Sequence, residues 1–100
     1  MERASLICSV NRALLGEVGP ALRLVVAKAD RQEIILRFYF DGEPSAEDRE
    51  SANCAGTEVI ADFPEYDLAE QIERCDAPEK IALDSSWLTI FARREPASAI

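Results

Sequence analysis

The stretch IILRFYFDGEPSAEDRE, residues 34–50, joins the strongest strand signal of the chain to the start of its most acidic region. In the first half, large apolar side chains alternate with a mixed set, which is the pattern of a strand with one face in the core. The set expected in the core is Ile34, Leu36, Phe38 and Phe40, and the other set is Ile35, Arg37 and Tyr39. Burying one phenylalanine stabilises a fold by roughly 1.5–3 kcal/mol. We therefore expect this strand to lie at the centre of the core.

The second half of the stretch predicts a helix. The strand ends at Asp41-Gly42, and Ser45 with Asp48 three residues later resembles a capping box. An apolar stripe continues the helix to about Asp62 and consists of Ala52, Ala55, Val59 and Phe63. The small Gly56 weakens a helix by up to about 1 kcal/mol relative to alanine, so its presence indicates a close contact with the sheet.

The remaining segments supply one helix and three strands. Residues 2–17 have the apolar periodicity of a helix. Residues 21–28 alternate like a strand whose buried face carries Leu22, Leu24 and Val26. A short connection at Asp30-Arg31 predicts a hairpin to the strand that follows. Residues 67–74 fit a helix or a strand. Because residues 86–93 form a clear strand that needs a neighbour, we interpret 67–74 as a strand that is either its hairpin partner or, like it, an addition to the sheet.

These elements follow the order α-β-β-α-β-β along the chain. The economical arrangement is an α+β two-layer sandwich, in which a four-stranded antiparallel sheet carries both helices on one face. We expect a single α+β domain over residues 1–95 and a frayed tail over residues 96–100.

The net charge of −8 is concentrated in the middle of the chain. Residues 41–79 carry thirteen Asp or Glu side chains against only Arg49 and Arg74, whereas the segments before and after are weakly positive. Nucleic-acid binding rests mainly on basic groups that neutralise phosphates, so we expect no nucleic-acid partner. The electrostatic complement of this chain is a basic protein.

Composition argues against several other functions. The chain has no histidine, which disfavours Ser-His or Cys-His catalysis and the usual zinc sites, and its four glycines form no phosphate loop. The three cysteines match no disulfide scaffold, and we interpret them as small apolar side chains. No apolar run approaches the ~20 residues of a membrane span, and the start of the chain does not resemble a secretory signal. We therefore expect a cytoplasmic protein with no membrane partner.

The crowded carboxylates at the start of the second helix admit two interpretations. Paired carboxylates can bind Mg²⁺, which makes a metal-dependent enzyme one hypothesis. The alternative is a solvated acidic helix face. DGEPSAEDRE lacks the alternating oxygen ligands of a calcium loop, and we therefore expect no metal, no cofactor and no enzymatic activity.

The sheet face that points away from the helices is a second candidate site. The side chains expected on it are Arg23, Val25, Arg37, Tyr39, Trp87, Thr89, Phe91 and Arg93. Trp, Tyr and Arg are enriched in interaction hot spots, so this face is an alternative site for a general interaction module or a homodimer. If the parity of the last strand is reversed, Trp87 and Phe91 belong to the core instead.

Four short motifs carry a family resemblance. They are FYFDGEPSAEDRE (38–50), TEVIADFPE (57–65), a segment around Pro78, and WLTIFARRE (87–95). Together they resemble a family of small bacterial proteins, similar to the immunity proteins of contact-dependent growth inhibition and related colicin-like toxin systems. The resemblance covers residues 12–95.

The resemblance implies a cytoplasmic, non-enzymatic protein that binds one cognate toxin domain tightly. Many such toxin domains are nucleases with basic clefts, and an acidic partner can occupy such a cleft in place of phosphate. By position, the acids expected to bind the basic toxin domain are Asp41, Glu43, Glu47, Asp48, Glu50, Glu58 and Asp62. The residues Arg37, Tyr39 and Trp87 of the sheet face are the alternative binding site.

Overall fold

The computed structural model describes residues 1–95, which form two helices and four strands. The elements are α1 (Arg3–Ala13), β1 (Leu22–Asp30), β2 (Glu33–Phe40), α2 (Ala46–Asp62), β3 (Asp67–Arg74) and β4 (Leu88–Ala92). The predicted α+β class is confirmed, and so is the strand over residues 67–74. The predicted frayed tail, residues 96–100, lies outside the described residues.

β1 and β2 form an antiparallel hairpin at the centre of a sheet whose strand order is β3-β2-β1-β4. Asp30 pairs with Glu33, so the turn between the strands has two residues. The predicted core face of β2 is confirmed, because its four apolar side chains are buried in one cluster with both helices. These side chains are Ile34, Leu36, Phe38 and Phe40.

The sheet is mixed, so the prediction of a purely antiparallel sheet is wrong. β3 runs parallel to β2, with Glu33 opposite Asp67 and Phe40 opposite Arg74. The physical reason is α2, whose 17 residues rise about 26 Å. The eight residues of β2 also extend about 26 Å, so the helix returns the chain to the level where β2 began. A crossover of this kind produces parallel neighbours.

Of the two arrangements left open for residues 67–74 and 86–93, the hairpin is wrong, and both strands instead add to the edges of the sheet. β3 and β4 lie at opposite edges of the sheet, and β4 pairs antiparallel with β1. Residues 75–87, which we call the crossing segment, connect the two edges and are much longer than a hairpin loop of 2–5 residues. The crossing segment runs over the sheet face opposite the helices, where its Ile81 is buried.

The two faces of β1 are exchanged relative to the prediction from Leu24 onward, whereas Leu22 packs on the helix side as predicted. A bulge at Arg23 interrupts the pairing with β2, and one inserted residue moves the side chains that follow to the other face. Val25 and Ala27 consequently pack against the helices, whereas Leu24 and Val26 pack under the crossing segment. Both sets are apolar, so hydrophobic alternation alone could not distinguish the faces.

Both helices cover the same face of the sheet. α1 is shorter than the predicted 2–17, and it buries Leu6 and Val10 in the cluster that contains the core side chains of β2. α2 buries three small side chains of its predicted stripe in this cluster, namely Ala52, Ala55 and Val59. The small residues let α2 lie close to the sheet, as expected from Gly56, which is itself buried.

One ion pair is buried inside this fold. The Arg23 side chain is 0% exposed and that of its partner Glu95 is 5% exposed. Arg23 donates to both carboxylate oxygens of Glu95 at 2.9 and 2.8 Å and to the carbonyl oxygen of Cys75 at 2.7 Å. Hydrogen bonds from Arg23, and secondly from Arg93, hold the pKa of Glu95 below its usual range, although partial burial opposes the shift.

We expect Glu95→Gln to lower the free energy of unfolding at pH 7 by about 3 kcal/mol, because it removes the carboxylate charge that faces the buried Arg23 guanidinium. Urea unfolding checks this value. Glu73→Gln, which removes one exposed carboxylate from β3, is the control and should change stability by less than about 0.5 kcal/mol.

The same pair predicts a pH dependence. The pKa of Glu95 is lower in the folded state, so its stabilisation is fully present above the unfolded pKa of about 4.3 and is lost as the pH falls through the folded value. The stability difference between wild type and Glu95→Gln should therefore shrink as the pH is lowered below about 4.3. A difference that stays constant down to pH 2 would contradict this assignment.

Candidate functional site

Asp41, the first of the predicted binding acids, already has partners within the fold. Its carboxylate accepts hydrogen bonds from Arg93 at 2.9 Å and from the N–H of Ala77 at 3.1 Å. These bonds, that of Arg93 first, lower the pKa of Asp41. Asp41 therefore connects the end of β2 to the crossing segment and to the residues that follow β4.

Asp48 and Asp62 hold the two ends of α2. The predicted capping box is confirmed: the Ser45 hydroxyl accepts from the N–H of Asp48 at 3.0 Å, and the Asp48 carboxylate accepts from the N–H of Ser45 at 3.2 Å. At the other end, Asp62 accepts a hydrogen bond from the Ser9 hydroxyl at 2.6 Å and forms an ion pair with Arg12. α2 is thus fixed at its start by its own cap and at its end by α1.

Glu43 lies in the loop before α2 and is partly neutralised. Its carboxylate is 3.5 Å from Arg49 and 3.7 Å from Arg74, and its side chain is 70% exposed. Exposed ion pairs of this kind contribute about 0–1 kcal/mol, so Glu43 remains accessible to a partner.

The three remaining acids form what we call the acidic stripe, which consists of Glu47, Glu50 and Glu58. All three are exposed on α2, and within residues 1–95 none makes a side-chain hydrogen bond or ion pair. At 3.6 residues per turn they fall within about 80° of the helix circumference. The stripe therefore presents three unpaired carboxylates along one side of a helix whose opposite side is in the core.

Cys54 lies within this stripe and is sensitive to its charge. Partial loss of solvent around the thiol raises the pKa of Cys54, and the carboxylates of Glu17, Glu50, Glu58 and Glu70 raise it further. Like charges disfavour formation of a thiolate. This surface is consequently acidic beyond α2 itself, because Glu17 lies before β1 and Glu70 lies on β3.

The predicted sheet-face residues Arg37, Tyr39 and Trp87 lie together on the opposite side of the molecule. The Arg37 guanidinium is 4.4 Å from the centre of the Trp87 ring, and the Lys28 ammonium is 4.2 Å from it. Arg37 also donates to the Tyr39 hydroxyl at 3.1 Å and to the Gln71 side chain at 2.7 Å. Cation–π contacts contribute about 0.5–1 kcal/mol at exposed sites, so these side chains support one another.

Less of this face is open than predicted. The crossing segment packs on it, which leaves Tyr39 only 8% exposed and Trp87 half-buried. Phe91 was expected here, but it packs toward the helices. A bulge in β4 explains the change, because Val25 pairs with Phe91 whereas Val26 pairs with Thr89, so one residue of β4 is left over.

Three residues at these sites were not named from the sequence: Lys28, Gln71 and Glu70. Gln71 accepts from Arg37, and Lys28 reaches the same Trp87 ring as Arg37, because β1 and β3 flank β2. The period of two along β1 could have placed Lys28 beside Trp87 once the bulge at Arg23 was recognised. Glu70 depends on the parallel pairing of β3, which no local pattern indicates.

Within residues 1–95, no group of three or more Cys, Asp or Glu side chains is arranged to hold a metal ion. In the same part of the chain, neither helix has the length and apolar character needed to span a bilayer.

Comparison with known families decides what kind of protein this fold belongs to. The family model described as MafI2 immunity protein matches residues 3–95. The chain belongs to the MafI2 immunity protein family. No curated protein sequence matches the chain.

Membership of the MafI2 family confirms the prediction of an immunity protein, whose partner is a cognate toxin protein. The relationship to contact-dependent growth inhibition stays a prediction, as do the basic character of the toxin domain and its activity. The ten binding residues named from the sequence also stay predictions. The structure separates them into acids used by the fold, the acidic stripe, and the side chains around Trp87.

The separation of the acids predicts different effects of substitution on stability. Ser45→Ala removes the cap that Asp48 completes and should lower the free energy of unfolding by about 1 kcal/mol. Glu47→Ala, two residues further along, should change it by less than about 0.5 kcal/mol because the Glu47 side chain has no partner within the described residues. Urea unfolding of the two variants measures the difference, and equal losses would show that Glu47 also supports α2.

Proposed function

We propose that this chain neutralises its cognate toxin domain by direct, non-enzymatic binding, and that the acidic stripe on α2 contacts a basic surface of that domain. The observation that carries the proposal is that Glu47, Glu50 and Glu58 are exposed and have no side-chain partner within residues 1–95, while the carboxylates of Asp41, Asp48 and Asp62 are occupied within the fold. Unpaired carboxylates keep their full charge available for a partner.

The position of the stripe favours fast and strong binding. α2 is capped at Ser45, tied to α1 at Asp62 and packed on the sheet through its small side chains. Because the helix is fixed before binding, the carboxylates require little ordering when a partner arrives, and preorganisation of this kind improves affinity. Charges of one sign on one surface also steer an oppositely charged partner during its approach.

The same charge pattern indicates what the toxin domain acts on. An acidic protein surface that binds a basic cleft replaces an anionic substrate there, and nucleic acid is the anionic macromolecule whose recognition rests on such basic groups. We therefore propose a toxin domain that acts on nucleic acid, neutralised in the cytoplasm of the cell that makes both proteins.

The alternative, a homodimer through the sheet face, has less support. The crossing segment covers Tyr39 and itself contributes the buried Ile81, so the apolar surface left for a second copy is small. Light scattering over a dilution series tests this alternative, and a mass that rises with concentration to that of a dimer would support it.

The main test is reversal of charge on the acidic stripe. We expect the triple variant Glu47→Lys, Glu50→Lys, Glu58→Lys to associate about 10-fold or more slowly with the purified toxin domain encoded by the neighbouring reading frame, because steering is lost. The association rate should also depend less steeply on salt concentration. Stopped-flow or surface plasmon resonance measurements over a range of salt concentrations give both quantities.

The matched control moves the same charge change to the other side of the molecule. Asp30→Lys, Glu33→Lys and Glu79→Lys replace three exposed acids that, within residues 1–95, have no side-chain partner. This variant should associate much closer to the wild-type rate than the stripe variant does. A larger loss of association rate in the control variant would place the binding site on the sheet face. If neither the wild type nor any variant bound the toxin domain, the proposed function would be refuted.

A further inference from the structure

β3 is an edge strand whose outer side is unpaired within residues 1–95. The strand order places β2 on its inner side and no described strand on the other. The N–H of Asp67 donates to the carbonyl of Gln32 at 2.8 Å and that of Cys75 donates to Phe40 at 2.9 Å, so both point toward β2. Backbone direction alternates along a strand. The intervening residues whose N–H and C=O groups point outward are Leu68, Glu70, Ile72 and Arg74.

This edge lacks most of the features that block pairing with another chain. Natural sheets protect their edges with short strands, bulges, prolines or a covering element. β4, at the opposite edge, has five residues and a bulge in its pairing with β1. β3 has eight residues, no proline and an unbroken register with β2. Its protection is charge alone, and that charge is mostly acidic, with Asp67, Glu70 and Glu73 against Arg74.

A groove runs beside this edge, between α2 and β3. It has a volume of about 310 Å³ and is lined on the helix side by Asn53, Gly56, Thr57 and Ile60, and on the strand side by Tyr66, Asp67, Leu68 and Glu70. Gly56 provides part of its space, because a Cβ atom there would be 2.8 Å from a carboxylate oxygen of Glu70 and 3.4 Å from Leu68. The carboxylate of Glu70 therefore lies over the glycine in the groove.

Glu70 is the half-buried carboxylate of the groove. Within residues 1–95 its carboxylate makes no hydrogen bond or ion pair. Burial disfavours the charged form and raises the pKa of Glu70 above its usual range. A cationic side chain that entered the groove would restore the interactions that the carboxylate has lost.

We infer that the outer edge of β3 receives an extended basic segment of the toxin domain as a fifth strand, with a lysine or arginine of that segment paired with Glu70. The inference rests on the proposed function for the identity of the partner. Strand addition supplies main-chain hydrogen bonds, and a pocket for alternate side chains supplies specificity. Glu70 lies on the same side of the molecule as the stripe residues Glu50 and Glu58, since all three are close enough to raise the pKa of the Cys54 thiol. The occupant of this acidic side should therefore be basic.

Amide hydrogen exchange, followed residue by residue by NMR, tests the added strand. The protein is compared free and in complex with a catalytically inactive form of the toxin domain encoded by the neighbouring reading frame. The outward amides of Leu68, Glu70, Ile72 and Arg74 should exchange about 10-fold or more slowly in the complex. The inward amides at Asp67 and Cys75 serve as the internal reference, since they are already bonded to Gln32 and Phe40 in the free protein.

A pair of substitutions tests the ionic contact. Glu70→Gln removes the charge in the groove. Glu73→Gln removes one charge from the same strand, so the two variants have the same net charge, but residue 73 has the opposite parity and its backbone N–H and C=O point toward β2. We expect Glu70→Gln to weaken the complex about 10-fold or more, mainly through faster dissociation, and Glu73→Gln to change it less than 3-fold. Equal losses would refute the specific pairing with Glu70.

The outcomes separate this inference from the proposed function. A stable complex in which the four outward amides stay unprotected would overturn the added strand and leave the immunity function intact. Failure to form any complex would overturn both. Protection of the same amides in the isolated protein, increasing with its concentration, would assign the edge to a second copy of this chain and refute a toxin segment as its occupant.

Discussion

The buried guanidinium of Arg23 is the constraint on which the arrangement of the sheet depends. An arginine cannot lose its proton to become neutral, so burying it at 0% exposure requires partners that are themselves fixed in place. Within residues 1–95 they are the carbonyl of Cys75, where β3 ends, and the carboxylate of Glu95, 72 residues away along the chain. β1, the end of β3 and the residues after β4 must therefore come together around the Arg23 side chain before its charge can be buried.

This requirement explains how one face of the sheet is closed. The crossing segment begins at Cys75 and ends at Trp87 before β4, so holding Cys75 at Arg23 lays the segment across β2 and β1. Asp41 strengthens the same closure through Arg93 and Ala77. Helices cover one face and the crossing segment covers much of the other, which leaves the outer surface of α2 and the edge of β3 among the parts of the acidic region that the fold itself does not use.

Local patterns in the sequence predicted the helices and strands better than they predicted which strands pair with one another. The alternation around Phe38 and the Ser45-Asp48 cap are each set by residues a few positions apart, so the core face of β2 and the start of α2 could be predicted. The parallel pairing of β3 is set by the length of α2, and the faces of β1 are set by the bulge at Arg23. The sequence also could not separate paired from unpaired acids, because Asp41 meets Arg93 and Asp62 meets Ser9 only after folding.

The division of the acids suggests how an acidic surface can recognise one partner among many basic proteins. Attraction between the stripe and a basic domain is long-range, extends over about 8–10 Å at ordinary salt concentrations and has little dependence on sequence. It accelerates encounters but selects poorly. Discrimination needs groups that are costly to leave unpaired, and an outward-facing row of amides and a poorly solvated Glu70 beside Gly56 are groups of that kind. A basic protein without an extended segment of suitable shape would bind the acidic stripe but leave the outer edge of β3 unpaired. The stripe and the edge together therefore select a partner by shape as well as by charge.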